Sequence, residues 1–207
     1  GDRCIMVDGE GAVVDGDLLL YIIATSRQQS GELHGPVVGT LMTNLGLEHA
    51  FQKKSIPFMR AAVGDRYVLE LLQQHGGIIG GESSGHMLCL DRTTTGDGIV
   101  SVLQVLYEVV ESGKTLAELT AEVQRYPQKM INVRLRDCKV KSTAIIESAV
   151  VDVEQRLGER GRVLLRPSGT EPLVRVMVEG QDAGEVNALT EELAEVVRRE
   201  VGAITSL

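Results

Sequence analysis

The sequence predicts an α/β domain followed by a smaller α+β domain. In the first half of the 207 residues, short apolar runs alternate with helical patterns, which is typical of a layered α/β structure. The second half follows the order strand, helix, strand, strand, helix, which suits a small antiparallel sheet backed by two helices. The Tyr126-Pro127 pair interrupts the pattern between the halves, so we place the boundary near residues 122 to 127.

In the first domain the pattern predicts a strand near the start, a helix capped by Asp17, and then strands and helices in alternation. In chain order these are a strand at 4–7, the capped helix with its apolar run 18–23, a strand at 37–42, a helix at 45–54, a strand at 57–63, a helix at 65–74, strands at 78–79 and 87–90, and helices at 99–110 and 116–123. The 99–110 helix has the strongest amphipathic pattern. Its apolar stripe is Ile99, Val102, Leu103, Leu106, Val109 and Val110.

The second domain is expected to contain three strands and two long amphipathic helices. The strands are predicted at 130–135, 162–165 and 173–178. The apolar stripe of the first helix is Ile145, Ile146, Ala149, Val150, Val153 and Leu157, and that of the terminal helix is Val186, Leu189, Leu193, Val196 and Val197.

Composition excludes several classes of function. A net charge of −8 and an aromatic content of 3% argue against nucleic acid and against an anionic membrane surface as partners. The longest apolar run, 18–24, is too short to cross a bilayer, and no signal-peptide pattern opens the chain. Three widely spaced cysteines, Cys4, Cys89 and Cys138, favour reduced thiols in a cytoplasmic protein over disulfides or zinc.

The segment 166–172, between two predicted strands, has the residue types of a phosphate clamp. Arg166 offers a planar fork of donors, and Ser168 and Thr170 add hydroxyl donors. Gly169 lets backbone N–H groups approach an anion, and Arg175 in the next strand is the candidate for a second cation. The alternative is an ordinary hairpin turn whose arginines pair with acids such as Glu171 or Glu179.

A second candidate is the glycine-flanked loop at 80–86. Glu82 and His86, with the hydroxyls between them, suit hydrogen bonding to the vicinal hydroxyls of a sugar, and His86 is able to move a proton. The alternative is a flexible turn with a solvated Glu82 and a His86 that caps the next strand. For Asp65, and for the segment 93–98, helix capping competes with a functional role, and Asp2 by itself is more typical of a surface carboxylate.

Five strings in this order resemble the α-D-phosphohexomutase superfamily, and most closely its amino-sugar branch. They are Val-Gly-Asp-Arg-Tyr at 63–67, Gly-Glu-Ser-Ser-Gly-His at 81–86, Thr-Thr-Thr-Gly-Asp-Gly at 93–98, Tyr-Pro-Gln at 126–128 with Asn-Val-Arg at 132–134, and the run from Arg166 to Gly180. The family has four domains around one cleft. The resemblance therefore implies that 1–14 end a metal-loop domain, that 15–123 form the third domain and that 127–207 form the fourth. The opening Gly1-Asp2-Arg3, without an initiator Met, also suggests a piece of a longer protein.

The resemblance also implies roles for particular residues. Asp2 matches the last of three magnesium ligands, and Arg3 matches a catalytic neighbour of the family's phosphoserine. Glu82 and Ser84 match residues that grip sugar hydroxyls, with His86 as a catalytic residue near the reacting groups. Gly64 and Asp65 match the loop that sets sugar orientation, and the clamp for the substrate phosphate matches Arg166, Ser168, Gly169, Thr170 and, less closely, Arg175.

The family transfers phosphate between two positions of a sugar through a phosphoserine and a bisphosphate intermediate. The implied partners of this chain are accordingly a phosphosugar, a glucose or glucosamine bisphosphate and the missing amino-terminal domains, with Mg²⁺ as cofactor. No Ser-His-Asn-Pro string that would supply the phosphoserine is present, so we expect this chain to bind the phosphosugar without transferring phosphate. Specificity for mannose or glucose phosphates and a free-standing phosphosugar-binding module remain the alternatives.

Overall fold

A computed structural model describes residues 1–135, 143–168 and 171–201. The chain divides into two compact units, Gly1–Arg125 and Tyr126–Leu207. The first is a mixed α/β layer structure and the second has an antiparallel sheet with helices, which confirms the predicted fold class. Within the described residues, no helix combines the length and the apolar character needed to cross a membrane.

The first unit contains six strands and five helices among its described residues. In chain order they are β1 (Met6–Val7), β2 (Val13–Val14), α1 (Gly16–Gln29), β3 (Val37–Thr40), α2 (Leu45–Lys53), β4 (Phe58–Ala61), α3 (Asp65–His75), β5 (Ile79–Gly81), β6 (Met87–Cys89), α4 (Gly98–Ser112) and α5 (Leu116–Thr120). The main sheet has the order β4-β3-β5-β6, in which β3 pairs in parallel with β4 and β5, and β6 is antiparallel. Strands β1 and β2 form a separate antiparallel ribbon.

Helix α1 is buried on every side, because its run Leu18–Ala24 is apolar throughout and not only along one stripe. It contacts the sheet through β5 and the neighbouring helices α2, α4 and α5. The prediction that Asp17 caps this helix is wrong. The N-cap is Asp15, whose carboxylate accepts a hydrogen bond from the Leu18 N–H, while the buried Asp17 carboxylate accepts one from the Asn44 N–H at 2.8 Å.

Helix α4 forms where the pattern predicts, but its apolar stripe does not face the core of the unit. Ser101 and Val105 are buried against the unit, whereas Ile99 and Val110 are 67% and 76% exposed. Periodicity correctly predicted the helix and its apolar face, but it does not predict what that face contacts.

The second unit follows the predicted order of elements. They are β7 (Gln128–Arg134), α6 (Ala144–Leu157), a short 3₁₀ turn (Gly158–Arg160), β8 (Gly161–Pro167), β9 (Leu173–Gly180) and α7 (Ala183–Val201). The antiparallel sheet has the order β7-β9-β8, so the central strand is the most buried. One face of this sheet packs on α6 and α7 through alternate residues such as Val174, Val176 and Val178.

The cysteines that the structure describes are free thiols. Cys89 is buried in the first core and Cys4 is partly buried, and burial raises the pKa of both thiols. Cys138 lies outside the described residues.

Two residues of α6 provide a test of the second core. Leu157 is fully buried, while Ile145 is 58% exposed. Leu157→Ala is expected to lower the free energy of unfolding by about 2–5 kcal/mol through lost burial and a residual cavity. Ile145→Ala, the matched control, should change it by less than about 0.5 kcal/mol. Urea unfolding followed by circular dichroism measures both, and equal losses would contradict this assignment of the core.

Candidate functional sites

The loop Glu82–His86 connects β5 to β6 and closes tightly on itself. The Glu82 N–H donates to the His86 carbonyl at 2.9 Å, and the Gly85 N–H donates to the Glu82 carbonyl at 2.9 Å. Gly85 has φ +90°, a left-handed conformation that side chains with a Cβ rarely adopt. The loop is therefore a defined turn rather than a flexible connection.

Two backbone segments hold this loop from outside. The Gly16 N–H, at the start of α1, donates to the Ser83 carbonyl at 3.1 Å, and the Cys4 N–H donates to the Gly85 carbonyl at 3.0 Å. A Cβ at Gly16 would lie 2.0 Å from the Glu82 carbonyl oxygen, so only glycine permits this approach. The first turn of the buried helix thus sets the position of the loop.

Glu82 is not simply solvated, as the turn interpretation would have it. Its Oε1 accepts a hydrogen bond from the Gly64 N–H at 2.8 Å, and Ser84 Oγ lies 3.5 Å from its Oε2. Gly64 has φ +128° and precedes α3, so a second glycine-dependent backbone conformation presents its N–H to this carboxylate. The two predicted sugar-contacting segments, 64–65 and 82–84, are therefore neighbours.

His86 lies between two carboxylates. Its Nδ1 is 3.7 Å from Asp2 Oδ2, its Nε2 is 3.9 Å from Asp65 Oδ2, and its side chain is 12% exposed. The ring packs so closely on Gly96 that a Cβ there would lie 1.9 Å from Nε2. Arg3 and His86 also form an isolated antiparallel bridge, which brings the start of the chain to this loop.

Helix capping was the alternative to a functional role for Asp65 and for the segment 93–98. The structure shows side-chain capping in only one of these two places. Asp97 is the N-cap of α4, and its Oδ1 accepts from the Ile99 and Val100 N–H groups. Asp65 does not cap α3, since Gly64 occupies the N-cap position and no side chain bonds there. The Asp65 carboxylate faces Arg66 N–H with one oxygen and His86 with the other.

Asp2 is suited to be one ligand of a metal ion, but it does not form a metal site by itself. Its carboxylate is exposed, and a hydrogen bond from its own backbone N–H, assisted by the nearby His86, lowers its pKa. Among the described residues, no three His, Cys, Asp or Glu side chains converge as a metal cluster. A magnesium ion, which prefers oxygen ligands, would need others besides Asp2.

In the second unit, two arginines face each other across β8 and β9. Arg166 is the direct register partner of Arg175, and Asn132 of β7 is the partner of Arg175 on the other side. All three alternate with the residues that pack on the helices, so they share the opposite face of the sheet. We call Arg166 and Arg175 the arginine pair.

The arginine pair has unsatisfied donors. The Nε atoms of both side chains are buried and make no hydrogen bond within the described part of the chain. Of the two acids named as partners in the turn interpretation, Glu171 and Glu179, Glu179 is bonded by Arg162 at 2.6 Å. Like charges directly opposite each other in a sheet repel, and buried donors without acceptors are costly. An anion between them would relieve both conditions.

Ser168 directly follows β8, the strand that contains Arg166. Its N–H donates to the Leu173 carbonyl at 2.8 Å, and its Oγ accepts from the Glu171 N–H at 3.3 Å. Gly169 and Thr170 lie outside the described residues. Sequence reasoning did not select Asn132 as a site residue, although period-two alternation from the register of Arg175 would have placed it on this face.

Two family models cover most of the chain. Residues 15–126 match the phosphoglucomutase/phosphomannomutase alpha/beta/alpha domain III, and residues 130–196 match the phosphoglucomutase/phosphomannomutase C-terminal domain. The fold is thus that of the third and the carboxy-terminal domains of this family. The chain belongs to the phosphoglucomutase/phosphomannomutase family.

Curated relatives give a narrower similarity. The chain is 58% identical to the phosphoglucosamine mutase of Methylococcus capsulatus, over 96% of its own length and 45% of the relative's. It is also 58% identical to that of Alkalilimnicola ehrlichii, over 100% of the chain and 46% of the relative. The chain therefore spans about half the length of the curated relatives it matches.

Solved structures share the fold at lower identity. An Aspergillus fumigatus N-acetylphosphoglucosamine mutase in complex with GlcNAc-6P and magnesium superimposes with a TM-score of 0.78 at 20% identity, covering 95% of this chain and 46% of that one. A phosphomannomutase described as putative, from Thermus thermophilus, gives a TM-score of 0.66 at 25% identity, over 95% and 44%.

The contact at Gly16 can be tested by substitution. Gly16→Ala is expected to displace the Glu82–His86 loop and to cost about 1–3 kcal/mol, because the new methyl group meets backbone that cannot rotate away. Gly9→Ala is the control, since nothing lies within 4 Å of a Cβ there. Urea unfolding and the amide NMR shifts of Gly64 and Gly85 report the two effects. Unchanged Gly64 and Gly85 amides in Gly16→Ala would contradict the role given to this contact.

Proposed function

We propose that this chain is the carboxy-terminal half of a phosphoglucosamine mutase, which interconverts glucosamine 6-phosphate and glucosamine 1-phosphate through a phosphoserine and a bisphosphate intermediate. The 58% identity to proteins named phosphoglucosamine mutase supports the choice of branch. In this proposal residues 1–14 complete the preceding domain, residues 15–123 bind the sugar and residues 127–207 bind its phosphate.

The arginine pair is the observation on which the substrate class depends. Two guanidinium groups in register, with buried and unbonded Nε atoms, need a multivalent anion with several acceptor oxygens. A phosphate that is bound and not transferred meets this need. Ser168, and the Gly169 and Thr170 that follow it, would add hydroxyl and backbone donors to the same clamp.

The first-unit site would hold the sugar. The Glu82 carboxylate, already fixed by the Gly64 N–H, has lone pairs left to accept from adjacent sugar hydroxyls, with Ser84 beside it. Gly64 and Asp65 would set the orientation of the ring. His86, between the Asp2 and Asp65 carboxylates, is placed to donate to or accept from a reacting oxygen, and Arg3 to neutralise a nearby phosphate.

A bound Mg²⁺ would stabilise negative charge on the phosphoryl group in transfer. In this proposal Asp2 is one of its ligands and the others come from residues outside this chain. The same holds for the nucleophile, because no Ser-His-Asn-Pro string is present. We further propose a phosphorylated, cytoplasmic enzyme that supplies amino sugar to cell-wall precursors.

The first prediction of the proposal is that the isolated chain is inactive. It contains donors for the sugar and the phosphate but no phosphoserine, so no phosphoryl group can be transferred. A coupled assay of glucosamine 6-phosphate conversion should show turnover with the Methylococcus capsulatus enzyme, the positive control, and none with the pure chain. Measurable conversion by the chain would refute the proposal that the nucleophile lies outside this chain.

The second prediction concerns Arg166. In a full-length mutase with this chain as its second half, Arg166→Ala should raise the apparent KM for glucosamine 6-phosphate about tenfold or more, because a charge-assisted contact to phosphate is lost. Arg160→Ala is the matched control, since Arg160 is an exposed arginine of the same unit that pairs with Glu185.

An unchanged KM in Arg166→Ala would contradict the phosphate contact and would favour a structural role for Arg166 in the hairpin. Comparing turnover of glucosamine, mannose and glucose 6-phosphates by the same full-length protein tests the branch separately. Faster turnover of mannose or glucose phosphate would reassign the specificity while leaving the clamp intact.

A further inference from the structure

Helix α4 has an exposed apolar face that the proposed function does not use. We define the α4 face as its five exposed apolar side chains, which are Ile99 (67%), Leu103 (58%), Leu106 (43%), Tyr107 (60%) and Val110 (76%). At about 100° per residue these positions fall within about 100° of the helix circumference, so they form one continuous stripe. A contiguous stripe of this kind, unlike a single exposed leucine, is typical of a surface that contacts another protein segment.

The start of the chain lies at one end of this stripe. The Gly98 N–H donates to the Gly1 carbonyl at 2.9 Å, and a Cβ at Gly98 would lie 2.6 Å from the Arg3 carbonyl oxygen. Gly1 is thus held against the first turn of α4, next to Ile99. In relatives about twice as long, the polypeptide that precedes the position of Gly1 enters the unit here.

A second apolar face lies on the segment that follows Gly1. Val7 of β1 is the register partner of Val13 of β2, and Ile5 lies two residues before Val7, on the same side of the ribbon. All three are exposed, at 49%, 58% and 56% for Ile5, Val7 and Val13. The other side of the ribbon packs on the core of the unit through Met6 and Val14, so the ribbon is held with this apolar side outward. The domain III match begins at residue 15 and leaves the ribbon outside.

We propose that the α4 face and the apolar face of the β1–β2 ribbon are the docking surface for the amino-terminal half of the full-length mutase. Both faces adjoin the point at which that half is covalently connected, so its effective concentration at this surface is high. This inference depends on the family assignment. It does not depend on which sugar is bound or on the reaction that is catalysed.

The charge pattern of α4 disfavours a second copy of the chain as the occupant. The helix contains Glu108 and Glu111 and no lysine or arginine. Glu108 accepts a hydrogen bond from Ser26 Oγ on the opposite side of the helix, whereas Glu111 is exposed about 40° beyond Tyr107 at the edge of the stripe. A two-fold symmetric contact would place the same residues of both copies at one interface, so the Glu111 carboxylates would approach each other without a cation from the helix.

Cysteine labelling tests the proposal directly. Leu103→Cys and Ile145→Cys introduce thiols at two positions of equal exposure, 58%, one on the α4 face and one on α6. Each variant is prepared in this chain and in a chimera in which the amino-terminal half of the Methylococcus capsulatus mutase is fused to Gly1. Maleimide labelling rates are read by peptide mass spectrometry, with Cys89, which is buried, as internal reference.

Labelling at position 103 is expected to slow at least about tenfold in the chimera, because a covered thiol reacts only through transient opening. Labelling at position 145 should change less than twofold. Equal rates at 103 in the chain and the chimera would overturn the proposal. Slow labelling of the isolated chain that speeds up on dilution would also overturn it, in favour of a second copy.

A chimera that fails to fold would label rapidly at both Cys89 and position 103. The full-length Methylococcus capsulatus enzyme with cysteine at the two aligned positions removes this ambiguity, because its two halves belong together. Rapid labelling there at the position aligned with Leu103 overturns the proposal, and protection there confined to that position supports it. Neither outcome depends on mutase activity, so this test and those of the proposed function fail independently.

Discussion

The close approach of Gly16 to the Glu82 carbonyl connects the core of the first unit to its candidate site. Helix α1 is buried on all sides, and the N–H of Gly16 together with its lack of a side chain fixes the Glu82–His86 loop. Once the loop is fixed, Glu82 bonds Gly64, and His86 lies between Asp2 and Asp65. The polar groups of this site are thus positioned by backbone that the apolar core holds rigid, which is how preorganised sites are generally built.

The second unit reaches a comparable result by different means. Its helices cover one face of a three-stranded sheet, and strand alternation sends Arg166, Arg175 and Asn132 to the other face. The arginine pair then concentrates positive charge in a chain whose net charge is −8. The proposed anion binding would thus be a local property of strand register that works against the overall charge of the molecule.

Local chemistry was predictable wherever it depends on neighbours in sequence. The helices α2 and α3 and the order of elements along the second unit follow from periodicity, and the glycines at 64 and 85 mark turns that require left-handed backbone. The N-cap of α1 was misplaced by two residues, because Asp15 and Asp17 have equal capping chemistry. Only the tertiary contact of Asp17 with Asn44 N–H distinguishes them.

The sequence by itself determined the two-domain α/β and α+β organisation and selected the candidate site residues, since hydrophobic period and short strings are local properties of the chain. Only the tertiary structure decided which of those residues meet. It joined Glu82 to Gly64 and His86 to Asp2 and Asp65 across long separations, and it turned the apolar face of α4 outward. The physical reason is that periodicity shows that a face is apolar, whereas packing decides what the face contacts.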